Sequence, residues 1–328
     1  MGNIDVLDEG RGSEESTIVN GRDANQSFHW QATFIIGKME TGRSFMKDGW
    51  YYDVWDGQVY CHKVEEVLFR KTTKYQEVLI FKSKNSGKLL VLDGDVQCAE
   101  KDEFGYQEMI AHVPMACHPN PKKVLIVGGG DGGVIRELSK HPEVEQITLC
   151  EIDEEVIRAC KEFMPSMAKG FSSSKLTVHI GDGFQFVKQH QQAFDLIIND
   201  IPDRTGANDL TSQIYSREYF GLLKAALKPN GMFISQEPSV WNDLKCVHTV
   251  MEMCSEFFSV VDYNMCMIPS FPDMQGFVMC SLDRNTNFRE PLRKLDASDL
   301  KYYNSGIHRA SFAVPEFARK ELQGVYKL

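Results

Sequence analysis

The sequence predicts an α/β fold in which a Rossmann-like sheet follows a small N-terminal antiparallel β-domain. Three observations carry this prediction. Short alternating runs follow Trp50, apolar strands and helical stretches alternate after residue 119, and a glycine-rich loop follows the first of those strands. With 328 residues, 42% of them hydrophobic, the chain can bury a core for both parts.

The N-terminal third divides into a tail and a β-domain. Residues 1–28 are rich in small and acidic groups, so ordering them would bury too little apolar surface to offset the lost entropy, and we predict a disordered tail. Residues 48–118 are predicted to form the β-domain and its link. Alternating runs at 59–69 and 76–81 are separated by turn signals at Asp56-Gly57, Ser86-Gly87 and Asp93-Gly94.

Residues 119–328 are predicted to form a Rossmann-like catalytic domain. Apolar strands alternate there with helical stretches, which is typical of βαβ units around a parallel sheet. The last two strands are separated by only a short loop, which favours a hairpin, and the whole layout is that of a class I methyltransferase-like fold. The predicted strands are Val124–Val127, Gln146–Glu151, Leu176–Ile180, Phe194–Asn199, Gly231–Ser235, Val260–Met267 and Gly276–Leu282.

Composition excludes several classes of function. A net charge of −10 repels nucleic acid and anionic lipid and favours a polycationic small molecule as partner. No run approaches the length of a membrane span and no signal core is present, so we expect a soluble, cytoplasmic protein. The nine cysteines include no Cys-x-x-Cys pair, and Cys150, Cys266 and Cys280 lie in apolar runs. We expect reduced core residues, and no metal site.

The glycine loop at 127–133 indicates a nucleotide-like ligand of unusual charge. Gly128, Gly130 and Gly133 have the spacing of the dinucleotide fingerprint, which alone is a weak signal. Asp131 lies within the loop, where a carboxylate would face a pyrophosphate without an evident counter-ion. The loop therefore favours a cationic sulfonium or ammonium ligand over an anionic dinucleotide.

Two further acids follow the next strands. Glu151 lies 20 residues past Asp131, where a carboxylate can accept both hydrogen bonds from a ribose diol. Asp182 follows the third strand, where folds of this class bind the exocyclic amine of adenine. The alternative is that these three acids are ordinary helix caps.

The end of the fourth strand supplies candidates for catalysis. Asp200 and Asp203 lie three residues apart at the edge where open α/β sheets place their chemistry. A sulfonium ligand can transfer a carbon group to an amine, but that acceptor amine is protonated at neutral pH and has to lose a proton before it can attack. We assign the role of base to Asp200 and expect Asp203 to anchor the amine. Tyr106 could steer the nitrogen lone pair. The alternatives are a solvated turn for the acid pair and a core aromatic for Tyr106.

Together these motifs resemble the spermidine synthase family of polyamine aminopropyltransferases, and among them the animal enzymes. The similarity runs from about residue 50 to about residue 322. The motifs that carry it are Tyr75-Gln76, Leu92-Asp93-Gly94, Val96-Gln97, the run 106–109, the glycine loop, the run 150–153, Gly181-Asp182-Gly183, and the tail segments 301–305 and 314–320.

The resemblance implies a function and a set of roles. The donor would be decarboxylated S-adenosylmethionine as co-substrate, the by-product methylthioadenosine, the acceptor a diamine such as putrescine, and the assembly a homodimer. Asp131 would hold the ammonium of the aminopropyl arm, Asp200 would be the acid-base residue, and Tyr106 and Asp203 would line the acceptor site. The nucleoside would be held by Gln76, Gln97, Gly128, Gly130, Glu151, Asp182 and Gly183.

Departures from the family pattern concentrate on the acceptor side. The family loop Asp-Ser-Ser-Asp-Pro reads Asp-Ile-Pro-Asp-Arg at 200–204, which adds Arg204 beside the acids. The acid of a family Gln-x-Glu stretch is missing or shifted at Pro238, and a family tyrosine of the acceptor site is Phe271. The sequence therefore predicts an altered acceptor preference, with weak binding of putrescine.

Two other functions stay open at this point. Plant amine N-methyltransferases that use intact S-adenosylmethionine also resemble this family, although Asp131 would face the donor's carboxylate in such an enzyme. A weakly active paralogue that serves as a binding partner is the second. The altered acceptor loop favours it and the retained Asp200 opposes it.

Overall fold

The computed structural model describes residues 44–55, 58–201, 213–271, 273–296 and 298–327. The predicted tail at 1–28 lies outside the described residues, and so do Asp203, Arg204 and the turn signal at Asp56-Gly57.

A six-stranded antiparallel sheet forms the N-terminal part. Each strand pairs with the next in chain order, and the alternation of side chains gives the sheet two buried faces. Val78 and Ile80 pack towards the helix that begins at Glu154, whereas Leu79 and Phe81 pack in a separate cluster. The strands are β1 (Phe45–Lys47), β2 (Trp50–Trp55), β3 (Gln58–Thr72), β4 (Glu77–Ser83), β5 (Gly87–Leu92) and β6 (Asp95–Ala99).

A seven-stranded mixed sheet forms the C-terminal part, in the order β12-β13-β11-β10-β7-β8-β9. Five strands are parallel, and the last two form the predicted antiparallel hairpin. The class I methyltransferase-like layout is therefore confirmed. The strands are β7 (Lys123–Gly128), β8 (Gln146–Glu151), β9 (Leu176–Ile180), β10 (Phe194–Asp200), β11 (Leu227–Glu237), β12 (Val260–Met267) and β13 (Met274–Ser281).

Helices cover both faces of this sheet. The first helix is buried along nearly its whole length, and it brings Tyr106 and Gln107 to the carboxyl ends of the parallel strands. The helices are α1 (Glu103–Cys117), α2 (Gly133–Ser139), α3 (Glu154–Phe163), α4 (Pro165–Ala168), α5 (Gly183–Lys188), α6 (Arg217–Ala226), α7 (Val240–Phe257), α8 (Ser305–Ser311) and α9 (Glu316–Leu322).

Two expectations from the sequence concern the state of the cysteines and the presence of a membrane span. All nine cysteines are free thiols, and Cys150, Cys266 and Cys280 are buried as predicted. In the part of the chain that the structure describes, no helix combines the length and the apolarity that a membrane span requires.

Candidate active site

A cavity of about 210 Å³ lies at the carboxyl ends of the parallel strands, between the two sheets. Sheets of this kind place ligands at that edge, because the strand ends and the following loops converge there. The cavity brings together ten of the residues predicted from the sequence: Gln76, Gln97, Tyr106, Gly128, Gly130, Asp131, Glu151, Asp182, Gly183 and Asp200.

The cavity is strongly acidic. Its described lining contains six carboxylates and no lysine, arginine or histidine: Asp93, Asp95, Asp131, Glu151, Asp182 and Asp200. Uncompensated carboxylates in a partly enclosed site attract cations and repel anions. The charge of the site therefore suits a sulfonium or ammonium ligand, as Asp131 alone suggested in the sequence.

Two glycines of the loop after β7 allow close approach. Gly128 has φ +80°, and a Cβ atom there would lie 2.1 Å from the backbone oxygen of Asp200. At Gly133 a Cβ atom would lie 2.3 Å from Cδ of Gln107. Only glycine leaves room for both contacts, so the fingerprint spacing here reflects packing around Asp200 and Gln107.

Asp131 is held from two sides. Its Oδ1 accepts hydrogen bonds from the backbone N–H of Gly133 at 2.6 Å and from Nε2 of Gln107 at 3.2 Å. Burial raises the pKa of the Asp131 carboxyl, and Glu103 nearby adds to the rise. A cationic group in the cavity would offset that cost.

Gln107 is a site residue that the sequence analysis missed. Its side chain is buried, it lines the cavity, and its Oε1 has no hydrogen-bond partner among the described residues. A buried amide oxygen without a partner carries a desolvation cost that a ligand N–H can remove. Its position next to Tyr106, within the family motif at 106–109, was the one available signal.

Glu151 and Asp182 both line the cavity and both accept hydrogen bonds from the backbone. The helix-cap alternative is correct for Asp182, whose Oδ1 accepts from Phe184 N at 2.8 Å, yet Asp182 also lines the cavity. Glu151 is not a helix cap, because Asp153 fills that position on α3. Burial raises the pKa of Glu151 to about 7, although its Oε1 accepts the N–H of Asp153 at 2.9 Å.

Asp200 ends β10 and contacts a short hydrogen-bonded chain. The Tyr106 hydroxyl lies 2.5 Å from Oδ1 of Asp200 and 2.6 Å from Oε1 of Gln236. The single phenolic proton can be donated to one oxygen at a time. When Asp200 is ionised, Tyr106 can donate to it, and when Asp200 is protonated, it can donate to Tyr106, which then donates to Gln236.

The second oxygen of Asp200, a residue that lines the cavity, is unpartnered among the described residues. This oxygen, Oδ2, is buried. Burial, followed by the charge of Asp131, raises the pKa of Asp200 to about 7. A carboxyl with that pKa and one unpartnered oxygen is suited to accept a proton at neutral pH.

A second cavity of about 60 Å³ adjoins the first and shares Asp95, Gln97 and Gln236 with it. Phe271, predicted to bind substrate, lines this second cavity, and Pro238 does as well. Asp203 and Arg204 lie outside the described residues, so their predicted roles stay predictions. Within the described ranges, no three His, Cys, Asp or Glu side chains are grouped to hold a metal ion.

Comparison with known families identifies the family of the chain. The sequence model described as "Spermine/spermidine synthase domain" matches residues 103–290, more than half of the chain, and "Spermidine synthase tetramerisation domain" matches residues 49–100. The chain belongs to the spermine/spermidine synthase family. The resemblance of its motifs to the spermidine synthase family is confirmed.

Relatives of the family support the same assignment. A spermidine synthase of Dictyostelium discoideum is 45% identical over 284 residues, which cover 84% of this chain and 98% of that protein. The spermidine synthase of Schizosaccharomyces pombe is 44% identical over 288 residues, 85% of this chain and 96% of the other.

Solved structures of the family have the same architecture. A spermidine synthase in complex with the transition-state analogue AdoDATO matches with a TM-score of 0.77 and 32% identity, over 85% of this chain and 96% of the other. The spermidine synthase of Thermotoga maritima matches with a TM-score of 0.74 over the same shares.

The family assignment gives the class of reaction. The chain is an aminopropyltransferase whose co-substrate is decarboxylated S-adenosylmethionine, as the sequence predicted. Nothing in these comparisons supports the alternatives of an amine N-methyltransferase or of a binding paralogue.

Proposed function

We propose that the chain transfers the aminopropyl group of decarboxylated S-adenosylmethionine to a diamine of the putrescine type, forming a spermidine-type triamine and methylthioadenosine. The observation that carries this proposal is Asp200, because it lines an acidic cavity and its Oδ2 has no hydrogen-bond partner in the described chain. An acceptor ammonium has to lose a proton before its nitrogen can attack. Asp200 supplies a base of suitable pKa at that place.

The donor would lie along the strand ends. In this proposal Glu151 accepts hydrogen bonds from the ribose hydroxyls, and Asp182 accepts from the adenine amine. Gln76 and Gln97 line the same cavity from the N-terminal sheet, together with the backbone of Gly128, Gly130 and Gly183. The ammonium of the aminopropyl arm would bind the Asp131 carboxylate and Oε1 of Gln107, which has no partner among the described residues.

The transfer step needs a base and a positioning group. The ionised Oδ2 of Asp200 takes one proton from the acceptor ammonium, and the freed nitrogen lone pair attacks the carbon that is bound to the sulfonium. The C–S bond breaks, and its electron pair stays on sulfur as a neutral thioether. Tyr106 positions Asp200 through its hydroxyl, while Asp203 remains our predicted anchor for the acceptor amine.

Donor choice tests this proposal. Purified protein is given decarboxylated or intact S-adenosylmethionine with a panel of di- and polyamines, and products are identified by mass. We expect turnover with the decarboxylated donor only, because Asp131 would repel the carboxylate of the intact one. Asp131→Ala should reduce that preference. Equal affinity of the wild-type protein for both donors in titration calorimetry would contradict the role of Asp131.

We also propose that the chain forms a homodimer and acts in the cytoplasm. The N-terminal sheet supports assembly for two reasons. It matches the sequence model "Spermidine synthase tetramerisation domain", and it exposes apolar side chains such as Trp50 and Val67. Sedimentation equilibrium measures the assembly directly. A monomer at micromolar concentration would contradict the homodimer, a tetramer would indicate a higher assembly, and cell fractionation tests the compartment.

A further inference from the structure

The second cavity extends the site beyond the reacting groups. It begins at Gln236, whose Oε1 lies 2.6 Å from the Tyr106 hydroxyl, so it adjoins the catalytic groups directly. Its described lining comes from both sheets and from the start of α7 and contains no lysine, arginine or histidine. Besides the shared Asp95, this lining carries one further carboxylate, Asp273.

The Asp273 carboxylate forms no ion pair with the described residues that line this cavity. Its Oδ1 accepts the N–H of Met274 at 2.6 Å, and its Oδ2 accepts the hydroxyl of Ser239. Both donors are neutral, so they orient the carboxylate without cancelling its charge. Two oxygens offer about four lone-pair positions, which leaves capacity for a ligand N–H.

The start of α7 fixes the position of Asp273. Ser239 is the N-cap of that helix and accepts from Trp241 N at 3.1 Å and from Asn242 N at 3.2 Å. The same hydroxyl donates to Asp273, which ties the carboxylate to a helix N-terminus, where negative charge is stabilised. Asp273 is therefore held in place before any ligand arrives.

The register of the strands separates Asp273 from Asp200. Asn199 pairs with Ser235, which places Asp200 beside Gln236, and Gln236 pairs with Phe277 in β13. Asp273 precedes Phe277 by four positions. Two strand spacings across the sheet and four residues along the chain therefore put the Cα atoms of Asp200 and Asp273 roughly 16 Å apart. One amine cannot contact both carboxylates, whereas the two ends of an extended acceptor can.

We infer that Asp273 is a specificity-determining residue that binds the far, protonated amine of the acceptor. The inference rests on the proposed function, and it names the acceptor class as amines with a second positive charge. Asp273 also compensates for the departures from the family pattern on the acceptor side. Phe271 lacks a hydroxyl and Pro238 lacks an acid, but Asp273 places a carboxylate in the same cavity.

A charge-neutral variant assayed with paired substrates tests the inference. Asp273→Asn keeps the shape of the side chain and an oxygen that can accept the N–H of Met274, but it removes the charge and places an amide NH₂ beside the Ser239 hydroxyl. We expect kcat/KM for putrescine to fall about ten- to hundredfold, the loss of one charge-assisted hydrogen bond. The value for n-butylamine, which has a methyl group in place of the second ammonium, should change little. Asp299→Asn removes the same charge from an exposed position outside both cavities and should affect neither substrate.

Other outcomes are equally informative. An unchanged ratio of putrescine to n-butylamine in Asp273→Asn would overturn the inference, and so would an equal loss for both substrates in a variant that still binds methylthioadenosine normally. Asp273→Glu keeps the charge on a longer arm and should favour a diamine shorter than putrescine. If the wild-type protein turns over no amine, the proposed function fails. Calorimetry of putrescine binding to wild type and Asp273→Asn then still decides the role of Asp273, because the wild type should bind putrescine more tightly than the variant does.

Discussion

Asp200 combines a raised pKa, a tyrosine contact on one oxygen and a second oxygen that has no hydrogen-bond partner in the described part of the chain. Asp200→Asn preserves the shape of the side chain but removes the proton acceptor. We expect turnover to fall ~10²-fold or more, the usual contribution of a general base. Calorimetry with methylthioadenosine should show nearly unchanged binding. Near-normal turnover at neutral pH would remove Asp200 from the mechanism.

The pH dependence of the reaction follows from the same carboxyl group. Asp200 has to be ionised to act as a base, so kcat/KM for the donor should rise with pH through about 7 and then level off. Binding of a cationic donor favours the ionised form, so the corresponding rise in kcat/KM for the acceptor at saturating donor should occur at lower pH.

Glu151 supplies the matched control for this profile, because its pKa is also raised to about 7. Glu151→Gln should weaken donor binding but keep the rise in rate with pH. If the rise in rate with pH is lost in Glu151→Gln and kept in Asp200→Asn, the group that titrates is Glu151 and our assignment to Asp200 is wrong.

At the scale of single residues, the sequence predicted those positions in the site that follow from the order and direction of the strands. Acids that follow parallel strands converge on one edge, so Asp131, Glu151, Asp182 and Asp200 could be placed together from their spacing alone. The contact between Gln107 and Asp131 was not predictable, because it depends on how α1 packs against the glycine loop. The contact of Tyr106 with Gln236 spans 130 positions and leaves no local signal.

At the scale of secondary-structure elements, the packing of α1 against the glycine loop links helix position to donor binding. Gly133→Ala would place a methyl group 2.3 Å from Cδ of Gln107, and buried α1 cannot move away easily. Displacing Gln107 removes a hydrogen bond to Asp131. We expect KM for the donor to rise about tenfold or more, in line with the loss of a hydrogen bond to a charged group.

Two further variants isolate the cause of this effect. Gly324→Ala adds a methyl group with no described atom within 4 Å and should leave KM unchanged. In a Gln107→Ala background the clash is absent, so Gly133→Ala should add little to the effect of Gln107→Ala. Strict additivity of the two changes would show that Gly133 acts through some other contact.

The elements themselves were predicted unevenly. The parallel strands were located to within about four residues, because continuous apolar runs bounded by turns are a strong signal. Helix α1 carries buried Glu103, Gln107, Glu108 and His112, so it shows no apolar stripe that would mark a core helix. Those polar groups are buried because they have partners elsewhere. Glu108, for example, accepts the backbone N–H groups of residues 301–303.

At the scale of the whole molecule, the fold concentrates negative charge in the cavity at the carboxyl ends of the parallel strands. Burial raises the pKa values of Asp131, Glu151 and Asp200 above their usual range, which means that the folded state disfavours their ionised forms. The cavity therefore destabilises the ligand-free protein at neutral pH. A cationic donor reverses that effect by supplying the missing opposite charge.

The last prediction measures this cost through the pH dependence of stability. The pKa of Asp200 is about 7 in the folded protein, against 3.8 as its ordinary value. Its contribution to stability is thus full below pH 3.8 and is lost as pH rises through about 7. Asp200→Asn cannot ionise, so the free energy of unfolding of this variant, relative to wild type, should increase from pH 5 to pH 8 by on the order of 2 kcal/mol. Urea unfolding at both pH values measures the difference, and Asp299→Asn, an exposed site, should show none. A gap between Asp200→Asn and wild type that stays constant across this range would mean that Asp200 is already ionised at pH 5, and a base with its proton affinity so low would no longer suit an acceptor ammonium.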